Sequence, residues 1–296
     1  MIISIIILNY KTKELTLSLL DGLFENYGKE IEENKIEIIL ADNASNDNSI
    51  PAFKKSKYFS EIKLVENKEN YGFSKGNNIA AREALGEYLL FINSDTLVKD
   101  KGFLRMTEFL NKNKKTAVIG GRLINKDGSD RAPAGKFYNL VYVFFTLFFS
   151  WLAPNLRFSP KKISEVDWVS GAFMMIRREV FKKLEGFDKN MFMYVEDMEL
   201  CFRVKKLGYN IVFFPESSLY HMEYGSSDRT FAIVNIYKGI LYFYKKHGSP
   251  ISYLIVKTML VVKAGLLVMI GKIINNKYLT DTYSKALKTW KNYYCG

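Results

Sequence analysis

Short apolar runs that alternate with helical patterns fill the first 120 residues and restrict the fold more than any other feature. The first run, Ile2–Leu8, is β-branched and short, which is typical of a buried parallel strand. Similar runs follow at 37–41, 62–65, 88–92 and 117–120. Helical patterns lie among them at 12–26, 74–85 and 101–112. This alternation predicts an α/β fold, with a mostly parallel sheet and helices on both faces.

Polar side chains follow three of these predicted strands directly. They are Asn9 and Tyr10, Asp42 and Asn43, and Asn93 to Asp95. Ligands of such sheets bind beyond the carboxyl ends of the strands. One such group could be a solvated loop, but three groups in equivalent places predict a binding site at this edge.

Two acidic segments and one histidine are candidates for chemistry. Asp95 could bind a divalent cation that bridges two phosphates, or it could cap a turn. Glu196, Asp197 and Glu199 repel one another, which would raise a pKa and suit a general base, although acids also stabilise a helix N-terminus. His221 follows the apolar run 211–214 and could complete a metal site with Asp95, or it could be structural.

The segment 70–78 is a glycine-bearing loop that opens a helix. Its backbone amides, with Lys75, could hold phosphate. It matches neither the dinucleotide fingerprint nor the P-loop, and a simple turn would have the same pattern.

The net charge of +12 is concentrated at the end of the chain. Residues 231–296 contain ten lysines and one acid, which indicates an anionic partner, either nucleic acid or an acidic membrane surface. The apolar run 251–270 carries Lys257 and Lys263, so a helix lying in the membrane interface is favoured over a simple span. The uncharged segment 137–156 could be a second membrane contact or a wall of the acceptor site. For both segments, burial in the protein or in a homodimer is the alternative.

The ordered motifs resemble family 2 glycosyltransferases with the GT-A (Rossmann-like) fold, particularly their rhamnosyltransferase-like branch in bacteria and archaea. The resemblance covers about residues 1–228 and leaves 229–296 as a basic helical extension. Its motifs are the strand 2–8 with Asn9-Tyr10, Asp42 to Asp47, Asn70 to Phe73 with Asn77-Asn78, Asn93-Ser94-Asp95, Val169 to Ala172, Gly186-Phe187-Asp188, and Glu196 to Cys201.

The resemblance implies a nucleotide-sugar donor, inversion at the anomeric carbon and a role for each matched residue. Asp42 would recognise the base of the nucleotide, and Asp197 would be the catalytic base. Asp95 would be the last acid of the Asp-X-Asp metal motif, in which Asn93 replaces the first acid, and His221 would reach the metal or the diphosphate. Further donor-binding residues would be Asn9, Tyr10, Ser45, Gly72, Lys75, Asn77, Asn78 and Ser94; Gly171 and Glu196 would bind the acceptor.

These inferences together predict an inverting hexosyltransferase that depends on Mg²⁺ or Mn²⁺. Rhamnose from dTDP-rhamnose is the leading donor, and the acceptor is a saccharide or a lipid-linked sugar in surface polysaccharide synthesis. We expect a cytoplasmic protein, attached peripherally to the inner face of the cell membrane rather than to nucleic acid. The two cysteines, Cys201 and Cys295, agree with a reducing compartment. The alternatives are a sugar-phosphate nucleotidyltransferase and a non-enzymatic adaptor that uses its basic tail.

Overall fold

A computed structural model describes residues 1–149, 157–222 and 228–288, and the chain forms two compact units. The sheet unit consists of the described parts of Met1–Phe137, Arg157–Phe192 and Glu196–Ser226. The helical unit consists of the described parts of Tyr138–Leu156, Met193–Val195 and Ser227–Gly296. The division at residue 228 stays a prediction, and two earlier segments of the chain group with the C-terminal helices.

The strands of the sheet unit form one large mixed sheet and one small sheet. They are β1 (Ile3–Asn9), β2 (Ile36–Asp42), β3 (Ile62–Glu66), β4 (Tyr88–Asn93), β5 (Thr96–Val98), β6 (Thr116–Ile124), β7 (Ala134–Gly135), β8 (Arg157–Phe158), β9 (Ser164–Val166), β10 (Trp168–Val169), β11 (Phe173–Arg177) and β12 (Asn210–His221). The large sheet has the order β3-β2-β1-β4-β11-β6-β12-β5, with β9 beside β12, and the small one has the order β10-β7-β8.

Strand direction changes at β11. Strands β3, β2, β1 and β4 are parallel, whereas β11 runs antiparallel to both β4 and β6. The expected α/β fold with a C-terminal helical extension is confirmed. The last strand extends past the apolar run 211–214: β12 continues beyond Phe214 through a register shift and ends at His221. His221 is therefore held in the sheet, opposite Thr96 of β5.

The helices of the sheet unit cover the large sheet. They are α1 (Lys13–Glu32), α2 (Ser49–Lys55), α3 (Gly72–Arg82), α4 (Phe103–Lys112), α6 (Arg178–Lys183) and α7 (Glu196–Lys206), with a short 3-10 helix at Phe59–Glu61. Side chains alternate along a strand, so Ile3, Ile5 and Ile7 of β1 share one face, and they join the same core cluster as Leu19 and Leu23 of α1. This packing fixes where the carboxyl ends of the strands lie.

Four helices form the helical unit: α5 (Leu140–Phe148), α8 (Arg229–His247), α9 (Pro250–Ile273) and α10 (Lys277–Lys288). Side chains of Asn139, Asp228 and Ser249 cap the first turns of α5, α8 and α9. Lys263 of α9 donates a hydrogen bond to the carbonyl of Leu147 at the end of α5. Within the described residues, α9 alone is long and apolar enough to cross a membrane, judged by length and composition only.

Candidate functional site

A buried hydrogen-bond network joins the ends of β1 and β2. Asn9 and Asp42 are direct partners in the parallel pair, and Asn9 Nδ2 donates to Asp42 Oδ1 over 2.6 Å. Ser45 donates to the same carboxylate twice, from Oγ to Oδ1 over 2.6 Å and from its backbone N–H to Oδ2 over 3.0 Å. All three residues are almost fully buried. The sequence therefore brings together three of the predicted donor-binding residues.

Thr12 extends this network to the end of β4. Its hydroxyl lies 2.9 Å from Asn9 Oδ1 and 2.7 Å from Ser94 Oγ. Thr12 directly precedes α1, but its side chain makes no capping bond to that helix. A threonine before a helix does not indicate, from sequence alone, that its hydroxyl links the ends of two strands. We call Asn9, Thr12, Asp42, Ser45 and Ser94 the strand-end network; Tyr10 is half-buried directly after it.

The first turns of α3 hold a neighbouring loop. Gly72 has a φ of +72°, and a side chain there would collide with Phe192, whose carbonyl accepts a hydrogen bond of 2.6 Å from the N–H of Phe73. Asn78 clamps the backbone of Phe187, donating to its oxygen over 2.7 Å and accepting from its N–H over 2.9 Å. Gly72 and Asn78 thus anchor the loop 186–192, and their predicted role in nucleotide binding remains untested.

Two other predicted donor-binding residues of α3 differ in exposure. Asn77 is 2% exposed and donates to the carbonyl of Phe73 over 2.9 Å. Lys75 is exposed, and its Nζ lies 3.6 Å from the centroid of the Tyr71 ring. Of these two, only Lys75 carries a charge, and that charge is exposed to solvent.

Asp95 and His221 are brought together by the pairing of β5 with β12. His221 Nε2 lies 3.7 Å from Asp95 Oδ1, and Asp95 is 8% exposed. Burial raises the pKa of Asp95, while the neighbouring His221 opposes that rise. Arg131 Nη1 lies 3.2 Å from His221 Nδ1. Because a guanidinium only donates, neutral His221 carries its proton on Nε2, towards Asp95. The sequence interpretation did not include Arg131.

The donor set around Asp95 fits a cation that is shared with a substrate. Among the described residues, no group of three or more His, Cys, Asp or Glu side chains could enclose a metal ion. Mg²⁺ is commonly held by one or two carboxylates together with substrate phosphates, so Asp95 supplies a suitable oxygen ligand. His221 would ligate through Nε2 only after its proton moves to Nδ1, which Arg131 opposes.

Asp197 lies in the first turn of α7 with both carboxylate oxygens fixed. Its Oδ2 accepts from the N–H of Gly171 over 3.1 Å, and its Oδ1 accepts from the N–H of Met198 over 2.8 Å. Burial raises the pKa of Asp197, whereas these two bonds and the charge of Arg157 lower it. Sequence reasoning did not identify Arg157, which is remote in the chain and lies in no motif.

Glu196 differs from Asp197 in leaving one of its carboxylate oxygens without a hydrogen-bond partner. It is 5% exposed, and its Oε2 atom accepts no hydrogen bond. Burial, and secondarily the charge of Asp197, raises the pKa of Glu196 well above its ordinary value. Hydrogen bonds from Gly171 and Met198 counteract the effect of burial on the pKa of Asp197, whereas the charge of Asp197 adds to the effect of burial on the pKa of Glu196.

The junction between β4 and β11 links the two acidic sites. The N–H of Asn93 donates to the carbonyl of Ala172 over 3.2 Å. The adjacent Gly171 holds Asp197, while Asp95 follows Asn93 by two residues. Asp95 and Asp197 thus flank one junction although they lie 102 positions apart in sequence.

Residues 4–185 match the family model described as glycosyl transferase family 2. The low-salt glycan biosynthesis hexosyltransferase Agl10 of Haloferax volcanii is 25% identical over 71% of this chain and 63% of its own length. Rhamnosyltransferase WbbL of Escherichia coli is 31% identical over 51% of this chain and 61% of its own. The chain spans about three fifths of the length of these two relatives.

Two more proteins extend the comparison. The N-acetylglucosaminyl-diphospho-decaprenol L-rhamnosyltransferase of Mycobacterium tuberculosis is 24% identical over 67% of this chain and 70% of its own. The mannosyltransferase PcManGT of Pyrobaculum calidifontis, solved with GDP-Man and Mn²⁺, superposes with a TM-score of 0.57 at 14% identity, over 96% of this chain and 84% of that one. The likeness of PcManGT concerns the fold alone. The family resemblance and the fold inferred from the motifs are confirmed.

Proposed function

Since the chain belongs to glycosyl transferase family 2, we propose that it is an inverting hexosyltransferase that uses a nucleotide-diphosphate sugar. The observation that carries this proposal is the half-buried Asp197 carboxylate, which two backbone N–H groups hold beside Glu196, whose Oε2 atom has no hydrogen-bond partner. Rhamnose from dTDP-rhamnose is the first donor to test, because two of the relatives are rhamnosyltransferases. A lipid-linked sugar is the proposed acceptor, since the mycobacterial relative is named for a diphospho-decaprenol substrate.

In this mechanism Asp197 acts as the general base. It removes the proton of an acceptor hydroxyl as that oxygen attacks the anomeric carbon. The new carbon–oxygen bond forms as the bond to the donor phosphate breaks on the opposite face of the sugar, so the anomeric configuration inverts. Gly171 orients the base by its hydrogen bond to Oδ2, and burial raises the pKa of the neighbouring Glu196. No covalent intermediate is needed.

The strand-end network and the Asp95 region are proposed to bind the donor. Asp42 would meet the nucleotide base, as the family resemblance implies, and Ser45 would bind the donor beside it. Lys75 would meet the phosphates, because its charge is exposed at the start of α3. A divalent cation at Asp95, Mg²⁺ or Mn²⁺, would neutralise charge on the leaving diphosphate. His221 directs an N–H group towards the same region, and Arg131 supplies a permanent positive charge beside it.

The proposed reaction is tested by its products. With donor and acceptor, the enzyme is expected to release a nucleoside diphosphate, and Asp197→Asn is expected to lose at least about 100-fold in turnover while remaining folded. Asp281→Asn, an exposed acid on α10, is the control and should keep full turnover. Release of diphosphate from a nucleoside triphosphate would instead identify a nucleotidyltransferase. Full function in Asp197→Asn would favour a non-enzymatic role.

We further propose that the helical unit attaches the enzyme to the inner, anionic surface of the cell membrane. One face of α9 packs within the unit through Val256, Leu260 and Ala264. The opposite face is exposed and apolar: Ile251, Leu254, Ile255, Val261, Val262, Leu266, Met269 and Ile273. A helix with one covered face and one apolar face suits a position in the plane of the interface rather than across the bilayer. The excess of lysines after residue 231 matches an anionic headgroup layer.

Flotation of the full chain with vesicles tests this attachment. Binding is expected to phosphatidylglycerol vesicles and to weaken with salt, and Val262→Glu is expected to abolish it. Ser60→Glu adds the same charge at an exposed site of the sheet unit and should leave binding unchanged. If Val262→Glu instead dissociated a homodimer without affecting vesicle binding, the face would be a subunit contact.

A further inference from the structure

An aromatic ring of α3 lies against the glycine that binds the proposed catalytic base. A Cβ atom at Gly171 would lie 2.9 Å from Cζ and 3.2 Å from Cε1 of Phe73, so the ring leaves no room for it. The same Cβ atom would lie 3.6 Å from Cβ of Asp197, which is an ordinary van der Waals contact. Phe73 and Asp197 therefore both approach the bare side of Gly171, and all three residues belong to the sheet unit.

Space, rather than backbone conformation, explains the glycine at position 171. The glycines with a positive φ are Gly72, Gly128, Gly186 and Gly208, so the backbone of Gly171 does not itself require glycine. The N–H of Gly171 donates the 3.1 Å hydrogen bond to Oδ2 of Asp197. Whatever holds the Gly171 backbone in place therefore also limits where this carboxylate oxygen can lie.

Phe73 can give such support because several contacts fix its own position. Its N–H donates to the carbonyl of Phe192, and its carbonyl accepts from Nδ2 of Asn77 over 2.9 Å. Its ring meets the ring of Phe187 edge-on, with centroids 5.4 Å apart and an angle of 74° between the planes. This geometry is favourable for aromatic pairs. Phe187 is in turn clamped through its backbone by Asn78. Backbone and side-chain contacts together hold the ring that touches Gly171.

We propose that Phe73 is a positioning residue for Asp197 and acts through Gly171. The ring supports the Gly171 backbone, so that its N–H stays directed at Oδ2 of Asp197. This inference rests on the proposed function, in which Asp197 is the base. It also gives α3 a second role, because the helix that carries the predicted donor-binding residues then helps to hold the base. A general base must lie within hydrogen-bond reach of its proton, so a small displacement reduces the rate.

The first experiment is Phe73→Leu, which keeps an apolar side chain but removes the ring atoms that touch Gly171. We expect kcat to fall at least about tenfold, because the base is less well placed. The hydrogen bond from Gly171 lowers the pKa of Asp197, so a looser bond should move the acid limb of kcat to higher pH, by at least about 0.5 unit. Glu196, Arg157 and Cys201, which interact electrostatically with Asp197, are unchanged in this variant.

Phe181→Leu is the matched control. The Phe181 ring meets the Phe187 ring at 5.5 Å and 76°, nearly the geometry of Phe73, whereas the atoms nearest to a Cβ at Gly171 belong to Phe73 and Asp197. The control should lose stability, as Phe73→Leu does, but keep the wild-type kcat and acid limb. Equal changes of kcat and of the acid limb in the two variants would overturn the role of Phe73. A fall in kcat without a shift of the acid limb in Phe73→Leu would also overturn it.

The second experiment is a double-mutant cycle with Gly171→Ala. The added methyl group collides with the Phe73 ring, so Gly171→Ala alone should lower kcat. Phe73→Leu vacates the space that the methyl group needs, so the double variant should be at least about fivefold more active than the two single losses multiplied together. Losses that simply multiply would overturn the proposal. The double variant also decides the case if either single variant fails to fold: restored folding and turnover support the proposal, and failure to restore either overturns it.

The outcomes separate this inference from the proposed function. Loss of turnover in Asp197→Asn with wild-type kcat in Phe73→Leu would overturn the role of Phe73 and leave the proposed reaction intact. Unchanged turnover in Asp197→Asn would overturn both. Loss of turnover in Asp197→Asn, together with a lower kcat and a shifted acid limb in Phe73→Leu, would support both.

Discussion

The strand-end network and the acidic pair, Glu196 and Asp197, lie in the same sheet unit but differ in how fully their polar groups are hydrogen-bonded. In the network each polar group has partners, and the Asp42 carboxylate alone accepts three hydrogen bonds. At the acidic pair, Glu196 keeps an unpartnered buried oxygen, and the backbone before it is strained. Burial raises the pKa of both acids of the pair.

Under the proposed function, this contrast separates residues that bind the donor from residues that react. A satisfied polar network is rigid and holds its shape before a ligand arrives. An acid with few partners is poised to exchange a proton, at a cost that the rest of the fold must offset. The comparison therefore predicts that changes in the network act mainly on stability and donor binding, while changes at the pair act on rate and pH dependence.

The largest effect on stability is expected from Asp42→Asn. The amide would place a donor among groups that already donate to Asp42, so at least one buried polar group loses its partner. We expect the free energy of unfolding, measured with urea, to fall by about 2–3 kcal/mol. Asp281→Asn on the exposed surface of α10 is the control. Unchanged stability in Asp42→Asn would remove the distinction between the two regions.

The pH dependence of turnover tests the effect expected of the acidic pair. In the proposed mechanism Asp197 must be deprotonated to act as the base, and burial raises its pKa. The acid limb of kcat should therefore begin above the range of an ordinary aspartate, near pH 3.9, and fall about tenfold per pH unit. Circular dichroism across the same range shows whether the enzyme stays folded. A kcat that is constant down to pH 4 in folded enzyme would contradict the assignment.

Glu196→Gln is expected to change how stability depends on pH. The folded protein holds the proton of Glu196 more tightly than the unfolded chain, because burial raises the pKa of Glu196 in the fold. That contribution is complete below the unfolded pKa and is lost as the pH rises through the folded one. The stability of the variant relative to wild type should therefore be greater at alkaline than at acidic pH. The difference should be about 1.4 kcal/mol for each unit by which the pKa of Glu196 is raised in the fold. Equal slopes of melting temperature against pH for wild type and variant would refute this; Glu14→Gln is an exposed control.

Ser94→Ala should have the smallest effect. It removes the neutral contact of 2.7 Å with Thr12, which keeps its bond to Asn9. We expect a loss of about 0.5–1.5 kcal/mol in the free energy of unfolding and no change in the pH profile. Ser18→Ala, on the exposed side of α1, is the matched control. A shifted pH profile in Ser94→Ala would mean that the two regions are electrostatically coupled.

The sequence predicted the features that depend on local periodicity. The first four strands were located within two residues of their observed ends, because buried parallel strands are nearly continuous apolar runs. The convergence of Asn9, Asp42 and Ser94 followed from that, since the carboxyl ends of parallel strands share one edge. Their roles in binding remain predictions.

Other features depend on tertiary contacts that leave no local signal. The apolar run of β11 gives no indication that it inserts between β4 and β6 in the opposite direction. Arg131 and Arg157 come from segments without a motif, and the inward direction of Asn78 is set by Phe187, more than a hundred residues away. The left-handed Tyr194 and Val195 are contrary to their residue types, which is why local propensity misses them.

The interleaving of the two units along the chain has a consequence for how this protein could be divided or exchanged. Residues 138–149 and Met193–Val195 belong to the helical unit, although they lie between segments of the sheet unit. A fragment cut after residue 228 would keep α5, with its apolar side chains, and lose α8, α9 and α10, which share its unit. Such a fragment would expose the apolar side chains of α5 to solvent and would aggregate. An exchange of the C-terminal helices between homologous proteins would therefore succeed only if residues 138–149 and Met193–Val195 were exchanged together with them.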